Sequence, residues 1–242
     1  MADVKLPSLE DLAHWFNKGL CFWHLSSDDA YGAMAGQAAA RALLVGLSLA
    51  LIAQTVVVFL VVGKVDMPQA IGLPIFALLQ LVNILFFAVV LFLLVRLVRI
   101  PLALREVAII VAYTFAGLLP LLLPLMAEQL FVAVQLLQRY RDPSLPYLTS
   151  AGWQMLFPSD AQPMAIVRAW VSFAAQITIV IAFLLVGLPS NIAKAANIGN
   201  QQKRPIWTLI VSAFVLVTIT LDTLMVRFVL GRVYWMLVGK LV

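Results

Sequence analysis

The chain has little of what aqueous chemistry uses. It holds one cysteine, Cys21, and two histidines, His14 and His24. A single cysteine excludes an internal disulfide framework. Charged residues make up 11% of the chain, against about 25% in an ordinary globular domain. No Walker loop, no H-E-x-x-H and no G-x-G-x-x-G occurs, which argues against the commonest enzyme classes. The N-terminus has no basic region ahead of an apolar stretch, so it does not read as a signal peptide, and an uncleaved helix must start insertion.

What is present is apolar. Hydrophobic residues are 64% of 242, and the mean hydropathy is +1.04. That excess over the roughly 45–50% of soluble domains cannot be buried in one water-soluble core. The composition predicts an all-α, polytopic integral membrane bundle. It excludes a nucleic-acid-binding domain, a disulfide scaffold and a disordered regulator. The 16 basic residues against 11 acidic ones act mainly on topology.

Crossing a bilayer as a helix takes about 20 mostly apolar residues. Charge-poor runs place five spans at about 42–63, 70–95, 107–135, 166–188 and 205–226, within a transmembrane domain of 40–230. The turn with Arg96, Arg99 and Arg105, the turn with Lys194, Lys203 and Arg204, and Arg41 ahead of the first span are expected on the cytoplasmic side. The N-terminal segment 1–39 is then cytoplasmic. Arg227, Arg232 and Lys240 disagree with an external C-terminus. Either the fifth helix extends beyond the bilayer, or 224–242 forms a sixth, short segment; five spans with a tail at 231–242 is the preferred reading. The loop 138–164 carries four prolines, Trp153 and Phe157, and reads as hugging the external surface. Pro120 and Pro124 fall inside the third run, where a missing amide and a ring clash predict a kink.

Residues 8–25 are amphipathic at 100° per residue. Leu9, Leu12, Ala13, Phe16, Leu20 and Trp23 share one arc, and Glu10, His14, Asn17, Cys21 and His24 lie opposite. Ser8 with Asp11 has the spacing of a capping box. The expected element is an interfacial helix anchored by Leu12, Phe16, Leu20 and Trp23. The polar stripe holds the chain's only thiol and imidazoles. Cys21 pairs in spacing with His24, and Glu10 with His14. Yet His14 and Cys21 stand about 10.5 Å apart along the axis, too far for one tetrahedral ion. No metal and no other cofactor is expected.

Ionisable residues within spans default to functional hypotheses. Glu128 follows the two prolines, Asp222 falls late in the fifth span, and Arg227 comes five residues later, on another side of that helix. All three are expected toward the external leaflet, as an intramembrane polar network. It reads either as an ion or proton relay or as salt bridges and snorkelling side chains. The relay lacks a ladder of titrating groups, because the inner halves are expected to offer only Gln54, Gln80, Asn83 and Gln176. A small-residue series, Gly32, Gly36 and Ala40, leads into the first span and has the spacing of a close helix contact.

Asp29-Ala30-Tyr31-Gly32 stands before the first span, and Tyr113-Thr114-Phe115-Ala116-Gly117-Leu118-Leu119-Pro120 opens the third after a basic turn. With five spans behind a cytoplasmic N-terminal region, this layout resembles the Yip-type membrane proteins. Those are small five-span proteins that bind other proteins in trafficking. The match to the family's Asp-Leu-Tyr-Gly-Pro pattern is partial, since Ala30 replaces the leucine and Ala33 the proline. The resemblance implies no catalytic residues.

The expected function is that of a non-enzymatic membrane subunit that scaffolds, stabilises or recruits other integral membrane proteins, in contact with lipid and not with nucleic acid. The alternative is a small transporter or channel component built on the proline-broken third span. The Ala, Leu and Val content leans toward a bacterial inner membrane.

Overall fold

A computed structural model describes residues 8–20, 32–62, 67–140, 163–196, 204–225, 229–230, 232–233 and 236. Among them the chain is all helical: α1 (Leu9–Leu20), α2 (Ala35–Val62), α3 (Met67–Leu97), α4 (Leu104–Tyr140), α5 (Pro163–Val180), a π-helical segment Ile181–Gly187, α6 (Leu188–Ala195) and α7 (Arg204–Met225). Five stretches are long and apolar enough to cross a membrane: Ala35–Val56, Ala77–Leu97, Leu104–Leu125, Trp170–Ala195 and Ile206–Met225. The bundle class read from composition therefore holds. The tail 231–242 and the choice of five or six segments fall almost wholly outside the described residues, as does most of the loop 138–164.

The helices are arranged around α4. Its span is 67% buried, while the other four are 17–33% buried. It packs against α1, α2, α3, α5, the π-helical segment and α6. Tyr113, Ile110, Val111 and Leu118 on α4 are fully buried, and Phe115 meets Phe87 of α3 edge to face at 5.3 Å. The outer faces are apolar instead: Leu44 and Ile52, Leu78, Leu85 and Leu93, and Leu209 and Leu216 are more than half exposed. Large apolar side chains turned outward along whole helices are what a lipid solvent permits and water does not.

The most extensive helix pair is α2 with α4. The small residues at this contact are Ala35, Ala39, Ala42, Gly46 and Ala50, all buried. This stripe corrects the series Gly32, Gly36 and Ala40, since Ala40 is exposed. The contact lies at a, d-like spacing on the neighbouring face, where small side chains let two backbones approach. Gly36 lies beside the Arg105 side chain and Gly46 beside Ala116, so α2 and α4 run in the same direction.

The turn from α3 to α4 is built from local chemistry. Arg99 adopts φ 59, and the amides of Arg99 and Ile100 donate to the carbonyls of Arg96 and Val95 at 3.0 and 3.3 Å. That is a Schellman cap with arginine where glycine is usual. Ile100 and Val95 are both buried beneath it, as the motif's hydrophobic contact requires. Pro101 prevents helix from continuing. The Ala103 amide then donates to Glu106 Oε2 at 2.7 Å, half of a capping box that starts α4.

Three prolines shape the spans. α4 continues through Pro120 and Pro124 as one helix, so the third span is not broken there. Each proline still removes one donor: the Ala116 carbonyl, four residues before Pro120, has no amide to accept. The fourth span holds an interruption that hydropathy did not foresee. Its π-helical segment ends just before Pro189, and the Leu188 amide reaches back to the Phe183 carbonyl. The Ser212 hydroxyl of α7 stands 2.9 Å from the carbonyl of Leu185, four residues before Pro189, and 2.8 Å from the Thr208 carbonyl one turn back, so its one proton is shared between them. In hydrocarbon a freed carbonyl needs such a neighbour. Other hydroxyls in the spans, including Thr114 and Thr218, donate to carbonyls one turn back in their own helix.

Candidate functional site

Three elements converge on Gly117 of α4. A Cβ built on Gly117 would strike the Gly19 carbonyl of α1 and come within 2.7 Å of the Phe183 ring from the π-helical segment. A Cβ built on Gly19 would lie 2.9 Å from the Gly117 nitrogen. One residue before, a Cβ on Gly46 of α2 would strike the Ala116 carbonyl. A glycine hydrogen occupies each of these positions. At Gly117 and Gly46 the Cα–H group therefore faces a carbonyl oxygen, a weak bond worth about 0.5–1 kcal/mol. The Ala116 acceptor is a carbonyl that Pro120 leaves short of its helical donor.

This seat revises the placement of α1. Its helical content and amphipathic character match the expectation, but its apolar side faces α2 and α4. Gly19 is buried; Leu12, Trp15, Phe16 and Leu20 are half-buried; Leu9 and Ala13 are exposed. The packed face is thus turned roughly 60° from the expected arc, toward Trp15 and Gly19, at 100° per residue. Backbone proximity at Gly19 outweighed side-chain hydropathy. Its Gly19 end rests on Gly117, level with Gly46 of α2, five residues past the exposed Arg41. Trp23, the fourth expected anchor, lies outside the described residues, as do Cys21 and His24.

The outward side of α1 is polar: Glu10, Asp11, His14 and Asn17 are exposed. Its first turn is fixed by a reciprocal cap. The Ser8 amide and hydroxyl donate to Asp11 Oδ2 at 3.0 and 2.9 Å, and the Asp11 amide donates to Ser8 Oγ at 3.2 Å. The Ser8 hydroxyl, then its amide, hold the Asp11 carboxyl below its ordinary 3.8. Lys18 lies over the Trp15 ring at 5.9 Å.

A second polar feature joins α3 to α7. Asn83 Nδ2 donates to Asp222 Oδ2 at 3.3 Å. Asn83 is buried, and Asn83 Oδ1 and Asp222 Oδ1 are both shut away from solvent with no hydrogen-bond partner among the described residues. Asn83 lies about 21 Å by helix rise from the basic end of α3, and Asp222 about 24 Å from the Ile206 end of α7. The pair thus occupies the half of the bundle away from the basic turns, which moves Asn83 out of the inner half where it was expected. Of the expected network, only Asp222 can be placed with its side chain. Arg227 and the side chain of Glu128 lie outside those described.

Among the described residues no three His, Cys, Asp or Glu side chains gather. Sequence reasoning missed the partnership of Asn83 with Asp222 and the roles of Gly19 and Gly46. A glycine within an otherwise apolar helical run was the available signal for the latter. Comparison with protein-family models, with curated proteins and with solved structures gives no match.

Proposed function

We propose that this chain is a non-enzymatic membrane subunit that scaffolds, stabilises or recruits other integral membrane proteins, in a bacterial inner membrane with its N-terminus in the cytoplasm. The observation that supports it most is the glycine junction. α1 is fastened backbone to backbone onto the central helix, and this holds the exposed Glu10 and Asp11 at a fixed place beside the spans. A rigidly held polar helix suits recognition of a partner. A filled interior around α4 does not suit passage of a solute. The resemblance to Yip-type proteins points the same way.

The test is mild-detergent extraction from the native membrane, native-gel sizing, and mass spectrometry of what co-migrates. A stoichiometric complex is expected. Gly19→Leu, which unseats α1, should dissolve it, while Glu128→Gln should leave it intact. A lone wild-type protein or a homo-oligomer would sink the proposal.

The second reading, a transport component, draws on Asp222 and Asn83, because a carboxyl with an unpartnered oxygen inside a bundle is a common feature of ion paths. Its test is flux in proteoliposomes, which Asp222→Asn should abolish under that reading and leave unchanged under the first.

A further inference from the structure

The turn from α3 to α4 is held from beneath and charged on top. Ile100 and Leu102 are 2% and 3% exposed, so the turn is pinned into the bundle on both sides of Pro101. The Leu102 amide donates to the Ile100 carbonyl at 2.9 Å, which tightens it further. This fixed base presents Arg96, Arg99 and Arg105 outward, all three exposed. The Arg99 amide donates to the Arg96 carbonyl, so those two backbones touch. The Arg105 side chain lies along the first turn of α2, where a Cβ built on Gly36 would be 3.9 Å from its Nε and Nη2. That end of a helix carries positive partial charge. Three cations and a helix N-terminus thus share one end of the bundle. Glu106, the one carboxylate in the turn, is turned to the Ala103 amide.

Two further observations point to a ligand with a charged and an apolar part. Arg99 holds a left-handed backbone, φ 59, where glycine would be free of strain, so a guanidinium stands there against the local backbone preference. The arginines are flanked by apolar side chains turned outward: Leu97 is 76% exposed, Leu93 one turn earlier 55%, and Leu104 40%. We propose that this turn is a binding site for an anionic phospholipid. The guanidiniums of Arg96, Arg99 and Arg105 hold its phosphate, since their planar donor forks match phosphate oxygens. Its acyl chains lie along Leu93, Leu97 and Leu104. Basic clusters at the end of a membrane helix favour anionic headgroups. A soluble phosphate would leave the leucines uncovered, and a zwitterionic headgroup brings its own cation toward the arginines. The site lies on the outer surface of the bundle and needs no cavity. It is independent of the subunit reading, because it holds with or without a protein partner.

The test is native mass spectrometry of the full-length protein in a non-ionic detergent, titrated with phosphatidylglycerol or with phosphatidylcholine of the same acyl chains. Phosphatidylglycerol should bind on the order of tenfold tighter. Each arginine removed should weaken that binding about fivefold. Arg99→Gly is the decisive variant, because glycine suits φ 59 and the lipid-free protein should melt no lower. It should lose affinity for phosphatidylglycerol and keep its affinity for phosphatidylcholine. Arg105→Gln should behave alike. Lys194, exposed on α6 outside the turn, is the control, and Lys194→Gln should change binding by less than about twofold. Equal affinities for the two lipids would overturn the proposal. An equal loss in Lys194→Gln would also overturn it, by reducing the effect to overall charge. Displacement of the lipid by inorganic phosphate at the same concentration would do so too, because the site would then be one for soluble anions. The native-gel experiment reads a different property, so either result can fail without the other.

Discussion

Gly19 of α1 lies backbone against backbone on Gly117 of α4, with no room for a methyl group on either side. Gly117→Ala places a methyl group between a carbonyl and the Phe183 ring, and the helices cannot both give way. Overpacking of this kind costs about 1–3 kcal/mol. Thermal unfolding in detergent should show Gly117→Ala and Gly46→Ala clearly destabilised. A wild-type midpoint for both would mean that the helices are not in this register.

Arg99 holds a left-handed conformation that glycine adopts without strain. Arg99→Gly should stabilise the protein by up to about 1 kcal/mol, and Arg99→Asn by less. The melting midpoint is the readout. A drop with both variants would show that the guanidinium does more at this turn than carry charge.

The Ser212 hydroxyl lies within reach of two carbonyls, that of Leu185 beside Pro189 and that of Thr208 on its own helix. Ser212→Ala should cost about 0.6–1.7 kcal/mol, the range of hydrogen bonds between membrane helices. Pro189→Ala restores an amide at that position, so Ser212→Ala should cost less in the Pro189→Ala background. Additive losses in the double-mutant cycle would break the link between the two residues.

Asp222 and Asn83 should couple in the same manner. Asn83→Leu leaves a buried carboxyl without its donor, whereas Asp222→Asn removes the group that burial penalises. Asn83→Leu should therefore destabilise more than Asp222→Asn, and little further loss should follow when Asn83→Leu is made on Asp222→Asn. The reverse order would point to a stabilising charge on Asp222.

The cap of α1 gives a pH dependence. The folded Asp11 carboxyl lies below its unfolded value of 3.8. Its contribution is fully present above that value and is lost as pH falls through the lower, folded one. NMR titration of the Asp11 carboxyl carbon should show a midpoint below 3.8, and Ser8→Ala should raise it. An unchanged midpoint in Ser8→Ala would remove the hydroxyl as the cause.

The spans and the capping box at Ser8 were legible because hydropathy and capping are local properties. The third span's Leu104 start was near its expected place for the same reason. The side of α1 that packs was not legible. A wheel weighs side chains, and what positioned α1 is the lack of one at Gly19. The π-helical segment was also hidden, since Ile181–Gly187 is as apolar as any span and only Pro189 marks it. The partnership of Asn83 with Asp222 depends on which helices are neighbours. α3 packs on α7 and α4 and hardly on α2, an order that no single stretch of sequence encodes.

The seat of α1 also sets an order of assembly. α1 precedes its seat in the chain, because Gly117 comes 98 residues after Gly19. Roughly a hundred residues separate Gly19 from Gly117, which at about 5–20 residues per second is on the order of 5–20 s of synthesis. Through that interval α1 can meet α2 but not the Gly117 seat. α1 is therefore translated before its seat exists and reaches its final position only after α4 has been made.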